Sequence, residues 1–204
     1  MTRSDVQLML DVKAGDDESF NLLLQKYRTP LVNFLYRMVR DTATAEDLAQ
    51  EVFLRVYRAR KQYSPSAKFT TWLFRIATNL ALNSVRDNRH HQMDVSLDAA
   101  PADEDTAPLQ LPAREMRIDE HMVERDRADF IRGVISALPE KQRVAVLLHK
   151  YEEMDYGEIA RILDCSESAL KSLLFRAYET LRVQLAPLVS PPARRAGKEA
   201  HHEM

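Results

Sequence analysis

Cysteine is almost missing from this chain: Cys165 is the single one in 204 residues, which excludes an intrachain disulfide and fits a reducing compartment. Glycine is scarce too, with four residues, too few for the hairpin turns of a β-rich protein. Long apolar runs are absent; the longest spans residues 144–148, far below the roughly 20 residues that cross a bilayer. The opening Met1-Thr2-Arg3-Ser4-Asp5 is polar and does not read as a signal peptide. These features together predict a soluble, cytoplasmic protein with no membrane insertion of its own. Catalytic signatures are also lacking. There is no Ser-His-Asp grouping, no Gly-rich phosphate loop and no metal-spaced Cys/His set, so no enzyme, cofactor or metal site is expected. The pairs His90-His91 and His201-His202 are adjacent residues in an expected linker and tail, which is not ligand spacing.

What is present is 45% apolar residues, enough to bury a core, and an uneven charge. The net charge is −2, but residues 1–92 carry 14 basic against 10 acidic groups. Residues 93–126 carry 3 against 10, residues 127–186 balance at 9 against 9, and residues 187–204 carry 3 against 2. Two folded segments therefore flank a strongly acidic one.

Helical periodicity fills both folded segments, so the expected class is all-α. Ser4 is placed to cap a first helix, with Gly15 as its stop, and Asp16 to cap the next. Phe20, Leu23, Leu24 and Tyr27 repeat at i, i+3, i+4, i+7, and Leu31, Leu35 and Met38 extend the stripe past Pro30, which predicts a kink or break. Thr44-x-x-Asp47 resembles a capping box ahead of an apolar face of Ala45, Leu48, Ala49, Val52 and Val56. A loop over residues 61–68 precedes a helix from about Thr70 that buries Leu73, Ile76, Ala77 and Leu80. Residues 93–112 hold three Pro, five acids and almost no apolar period, and read as an extended linker. Helix resumes near Ala113, with a core face of Phe130, Ile131, Val134, Ile135 and Leu138. After Pro139 a helix turns Val144, Leu147, Leu148 and Tyr151 inward, and two short helices follow to about Leu185. The tail from Pro187 is expected to fray.

Residues 156–177, YGEIARILDCSESALKSLLFRA, carry helix-turn-helix chemistry. Ile159, Ala160 and Leu163 face inward, Cys165 and Leu170 plug the core around the turn, and Asp164 takes the left-handed turn position that Asp tolerates. Glu167, Ser168, Lys171, Ser172, Phe175 and Arg176 face out, where they can reach a major groove. An ordinary helical hairpin with a solvated face is the competing reading.

A second stretch is FTTWLFRIATN, residues 69–79. Opposite its apolar face, Trp72, Arg75, Asn79, Asn83 and Arg86 keep one line, which suits stacking on unpaired bases and holding phosphates. The pattern alone leaves open whether Trp72 is instead a core residue. A third is AEDLAQEVFLRVYR, residues 45–58. There Asp47, Gln50, Glu51 and Phe53 occupy neighbouring outward positions with Leu54 near, the look of a protein-docking face.

Taken together, these segments resemble bacterial sigma factors of the extracytoplasmic-function (ECF) group of the sigma-70 family. The similarity covers about residues 4–92 and 115–186. LPEKQRVAVLL followed by YGEIARIL looks like the family's region 4, AEDLAQEVFLRVYR like region 2.2, and FTTWLFRIATNLALNSVR like regions 2.3 and 2.4. The resemblance implies two helical domains joined by a flexible acidic linker. Region 2 would take residues 1–92, the linker 93–114, region 4 residues 115–186 and a disordered tail 187–204. It implies an initiation factor that brings core RNA polymerase to promoters and helps melt the −10 element, with an anti-sigma factor as further partner. Asp47, Gln50, Glu51 and Phe53 would then bind polymerase. Trp72, Arg75, Asn79, Asn83 and Arg86, with the loop 62–69, would hold the −10 strand. Ser168, Lys171, Ser172, Phe175 and Arg176 would read the −35 element. Leu173 and Tyr178 stand where the family commonly has Arg or Lys, and each missing cation is expected to leave one phosphate unmet. The alternative is a stand-alone helix-turn-helix regulator, which normally needs a dimerisation face that this sequence does not display.

Overall fold

A computed structural model describes residues 3–95 and 118–189, and the side chains of residues 3–88 and 124–188. The expected linker over 96–114, the tail from residue 190 and both His pairs' side chains lie outside the described residues. Every described element is helical. The order is α1 (Asp5–Ala14), α2 (Asp17–Val39), α3 (Thr42–Arg58), a single 3-10 turn (Arg60–Gln62) and α4 (Phe69–Val95), then α5 (Ile118–Ser136), α6 (Glu140–Lys150), α7 (Tyr156–Leu163) and α8 (Glu167–Val189).

The first helices begin and end where local chemistry dictates. The Ser4 side chain accepts from the Gln7 backbone N–H, Gly15 ends α1 at φ 105°, and Asp16 caps α2. Of the kink or break expected at Pro30, the break does not occur; α2 runs on to Val39 with Pro30 inside it. Leu23 and Tyr27 before the proline and Leu31, Phe34, Leu35 and Met38 after it are buried on one core. Six burials, at roughly 1.5–3 kcal/mol each, outweigh the roughly 3 kcal/mol that an internal proline costs. The capping box expected at Thr44 is also absent. Asp41 is the cap, accepting from the Thr44 N–H at 2.6 Å, so α3 opens earlier, at Thr42. These hydrogen bonds to Thr44 hold the Asp41 carboxyl below its ordinary value.

Three burial expectations fail. Phe53, read as outward, is 6% exposed and packs edge-on against Phe20. Phe130 and Tyr151, read as core, are 42% and 45% exposed. Phe53 and Phe130 lie on helices, whereas Tyr151 is the C-cap of α6, just past the helical period that predicted it, and its ring meets the Arg37 guanidinium instead. Among the expected stripes, Leu48, Ile76 and Ile131 are half-buried at the core's margin. The two short helices expected after Pro139's helix are one short helix, α7, and one long one, α8.

Helices α1–α4 form one bundle and α5–α8 a second, but they are not separate bodies. One apolar cluster runs through both, and α4 packs on α2 and α3 with one side and on α7 with another, while α6 also reaches α2. Polar contacts also cross between the halves. Arg143 Nη1 donates to the Met38 carbonyl at 3.2 Å, Arg40 Nη1 donates to Ser136 Oγ at 2.9 Å, and the Arg37 guanidinium lies 4.1 Å from the centre of the Tyr151 ring.

Candidate DNA and protein-docking faces

The start of α4 is anchored by aromatics. Phe69 is 1% exposed against Tyr27, and Tyr63, at the other end of the preceding loop, is 4% exposed with its carbonyl accepting from Lys13 Nζ at 2.8 Å. Trp72 stands between them, 5.1 Å from Tyr63 and 6.2 Å from Phe69, half-buried and held in orientation. It is therefore part core and part surface, both readings that the pattern allowed. Arg75, Asn79, Asn83 and Arg86 are exposed along the same helix, as expected. Loop and helix border a cleft of about 590 Å³ whose lining includes Gln62, Ser64, Ser66, Trp72 and Arg75. An indole wall with amides, hydroxyls and a guanidinium can stack a base and hydrogen-bond its edge and phosphate.

The far wall of that cleft comes from the other half of the molecule: Arg161 and Asp164 of α7 line it. Beside it, Glu158 of α7 is 6% exposed. Its carboxylate accepts from Thr71 Oγ1 at 3.1 Å and from the Asp155 N–H at 3.2 Å, and pairs with Lys68 Nζ at 3.1 Å. The Asp155 side chain in turn accepts from the Glu158 N–H, completing a capping box on α7. Hydrogen bonding to Glu158 raises the Lys68 ammonium above its ordinary value. Sequence reasoning missed Thr71, Glu158 and Arg161. The spacing Asp155-x-x-Glu158 was a signal for the cap, but no pattern within α7 says that α4 covers it.

The helix-turn-helix is built as expected. Asp164 takes φ 52° and ψ 56° and its N–H bonds the Ala160 carbonyl, ending α7; Ser166 accepts from the Ala169 N–H to start α8. Leu170, Leu174, Ala177 and Leu181 are buried, and Ser168, Lys171, Ser172, Phe175 and Arg176 are exposed on α8. The positive end of the α8 dipole adds to this face for an approaching phosphate. Leu173 and Tyr178 do not belong to it. Both are half-buried against the core, and Tyr178 Oη lies 2.7 Å from His149 Nδ1.

On α3, Asp47 and Gln50 are exposed, and Glu51 pairs with Arg55 at 2.7 Å. An apolar groove of about 520 Å³ runs between α2 and α3, with Phe20, Leu24, Val32, Phe53, Leu54 and Tyr57 in its lining and Gln50 and Glu46 on its rim. The structure thus brings Gln50 and Phe53 together in one groove, whereas Asp47 and Glu51 do not line it. Leu54, 48% exposed, and Tyr57, whose hydroxyl donates to Asp17, join the face instead.

Two family models match the chain: Sigma-70 region 2 over residues 23–91 and Sigma-70, region 4 over residues 131–181. The RNA polymerase sigma-H factor of Pseudomonas aeruginosa is 34% identical over 190 residues, 91% of this chain and 95% of that protein. The ECF RNA polymerase sigma factor SigW of Bacillus subtilis is 33% identical over 179 residues, 87% and 94% of the two chains. Among solved structures, the sigma factor RpoE of Bartonella quintana, determined with the anti-sigma factor NepR, has the same fold. It matches at a TM-score of 0.63 and 19% identity, over 83% of this chain and 98% of that one.

Proposed function

The chain belongs to the ECF group of the sigma-70 family and is a transcription initiation factor, and we propose that its three faces divide the work of initiation among themselves. The stand-alone regulator is not favoured, because a region 2 match occupies the N-terminal bundle that such a regulator has no use for. Core RNA polymerase docks on the α2–α3 groove. Gln50 and Phe53 belong to its lining, and Asp47 and Glu51 lie on α3 beside it. The −10 strand enters the cleft beside α4. Trp72 stacks one base, Arg75 and Arg86 take phosphates, and Asn79 and Asn83 read base edges. Unstacking a base costs a few kcal/mol and an aromatic partner returns roughly 1–3 kcal/mol, so a single cleft suffices to hold a flipped base but not to melt a duplex unaided. Ser168, Lys171, Ser172, Phe175 and Arg176 of α8 sit in the −35 major groove.

The observation that carries this division is the placement of the two nucleic-acid faces. One is a cleft walled by an aromatic, the other an open, convex helix face, and these are the forms that unpaired and paired DNA require. We assign residues 1–92 to region 2, 93–114 to the acidic linker, 115–186 to region 4 and 187–204 to a tail; α4 continues to Val95 beyond the first boundary. The linker, net −7 with its flanks, suits the basic interior of polymerase. The protein works in the cytoplasm, where polymerase is, and is not an enzyme. An anti-sigma protein is the further partner, by analogy with the RpoE–NepR pair. The test is run-off transcription on fragmented genomic DNA with bacterial core polymerase. Discrete transcripts that require this chain support the reading; sequence-specific DNA binding with no polymerase-dependent transcript would sink it.

A further inference from the structure

Helices α6, α7 and α8 meet at one histidine. His149 lies in the last turn of α6, and its Nδ1 forms a hydrogen bond of 2.7 Å with Tyr178 Oη of α8. The same ring packs against Tyr156, the first residue of α7, with ring centres 5.3 Å apart, and lies 6.2 Å from the Tyr178 ring. All three side chains are half-buried. Their places along the two helices matter. The helix-turn-helix is joined at residues 164–166, whereas Tyr156 stands at the far end of α7 and Tyr178 about three turns into α8. The pair is therefore fixed at its turn by the chain and, away from the turn, by His149. The buried residues of these three helices are almost all apolar. Apolar burial resists separation but has no direction, so it tolerates sliding and rotation. A hydrogen bond of this length does not.

We propose that His149 is a positioning residue for −35 recognition, acting through Tyr178. By tying Tyr156 and Tyr178 to one ring, it fixes the angle at which α8 leaves α7. That angle sets the depth and register at which Lys171, Phe175 and Arg176 meet base edges. The inference rests on the reading of α8 as the groove face. Neither His149 nor Tyr178 needs to touch DNA for this role. Base-edge contacts carry the sequence information and demand close geometry, whereas phosphate contacts are independent of sequence. Loosening the tie therefore blunts base preference before it weakens overall affinity.

The experiment uses the full chain assembled with bacterial core polymerase and a random-sequence duplex DNA pool, from which bound molecules are recovered and sequenced. The parent should enrich two blocks, an upstream one assigned to α8 and a downstream one assigned to α4. Tyr178→Phe deletes one oxygen, and His149→Phe keeps a ring against Tyr156; each breaks the tie. Either should lower base preference in the upstream block about fivefold, the loss expected of one hydrogen bond, and leave the downstream block unchanged. The double variant should lose no more than either single one, because both remove the same bond. The salt slope of duplex binding should stay at the parent's value, as no phosphate contact is lost. Upstream preference equal to the parent's in Tyr178→Phe, with unchanged circular dichroism, would overturn the positioning role and leave the α8 face standing. A changed slope, or losses that add in the double variant, would overturn it too, since the two residues would then act on DNA or on the fold separately. Equal flattening of both blocks would replace it with a purely structural role. No upstream block in the parent would overturn the groove reading, and the positioning role with it.

Discussion

The strand face proposed on α4 and the groove face proposed on α8 are built differently. On α8 one side is buried, by Leu170, Leu174, Ala177 and Leu181, and the side chains proposed to face DNA are exposed on the other. On α4, Leu73, Phe74, Ala77 and Ala81 are buried against its own bundle, Thr71 is covered from the side by Glu158, and Trp72 is braced by Tyr63 and Phe69. A convex face can meet duplex DNA as a rigid body. A cleft must be walled, and its walls come from distant parts of the chain. The proposed −35 face is thus a property of one helix, and the proposed −10 face a property of the tertiary structure.

The docking groove gives the largest expected effect, because Phe53 is core and surface at once. Phe53→Ala should destabilise the N-terminal bundle by about 3–5 kcal/mol in denaturant titration, whereas Gln50→Ala should leave stability within about 0.5 kcal/mol and still weaken polymerase binding. Unchanged polymerase affinity in folded Gln50→Ala would remove the groove from the docking reading. Next comes Asn79→Ala, which should cost about 1–3 kcal/mol at one −10 position and reduce permanganate-detected opening, with recruitment to duplex promoter retained. A pre-melted bubble should restore its activity; failure of that rescue would contradict base capture. Lys171→Ala with Arg176→Ala should do the reverse, weakening recruitment and flattening its salt dependence by about one unit of slope for each phosphate no longer neutralised. Tyr178→Phe should leave that slope alone, since its hydroxyl faces His149, and a changed slope would return Tyr178 to the DNA face.

The smallest effect concerns pH at the seam. Burial pushes the Glu152 carboxyl up to about 7, with the Arg37 charge pulling it partly back. The folded chain therefore holds this proton more tightly than the unfolded chain, whose value is the ordinary 4.5. The stability contributed at Glu152 is fully present below pH 4.5 and is lost as pH rises through about 7. Relative to the parent, Glu152→Gln should gain melting temperature as pH increases from 5.5 to 8. The difference between the two proteins is the measurement, because His149, lowered by burial and by Lys150, responds in the opposite direction as pH falls. A difference independent of pH would exclude Glu152 as the titrating group.

How far the sequence alone reached depended on the range of the interaction involved. Ser4 and Asp16 as caps, Gly15 as a stop, Asp164 in a left-handed turn and the outward set on α8 all follow from residues within one or two turns. Helical class and family were equally legible, since periodicity and short motifs repeat the same local physics. A break at Pro30 and a cap at Thr44 were misjudged where local preference was outweighed, by a shared core in one case and by a better cap at Asp41 in the other. Phe53 and Phe130 lie on helices whose own pattern cannot say which neighbour arrives, and Tyr151 lies one residue past the end of α6, where the period no longer applies. Glu158 is the extreme: as a charged residue it reads as solvated, and it is buried because Lys68 and Thr71, 90 and 87 positions earlier, supply the partners that let a carboxylate leave water. Amphipathic helices, their caps and the groove-reading face were therefore determined by the chain locally. The pairing of α7 with α4, and with it the wall of the strand cleft, was decided only when two distant halves shared a seam.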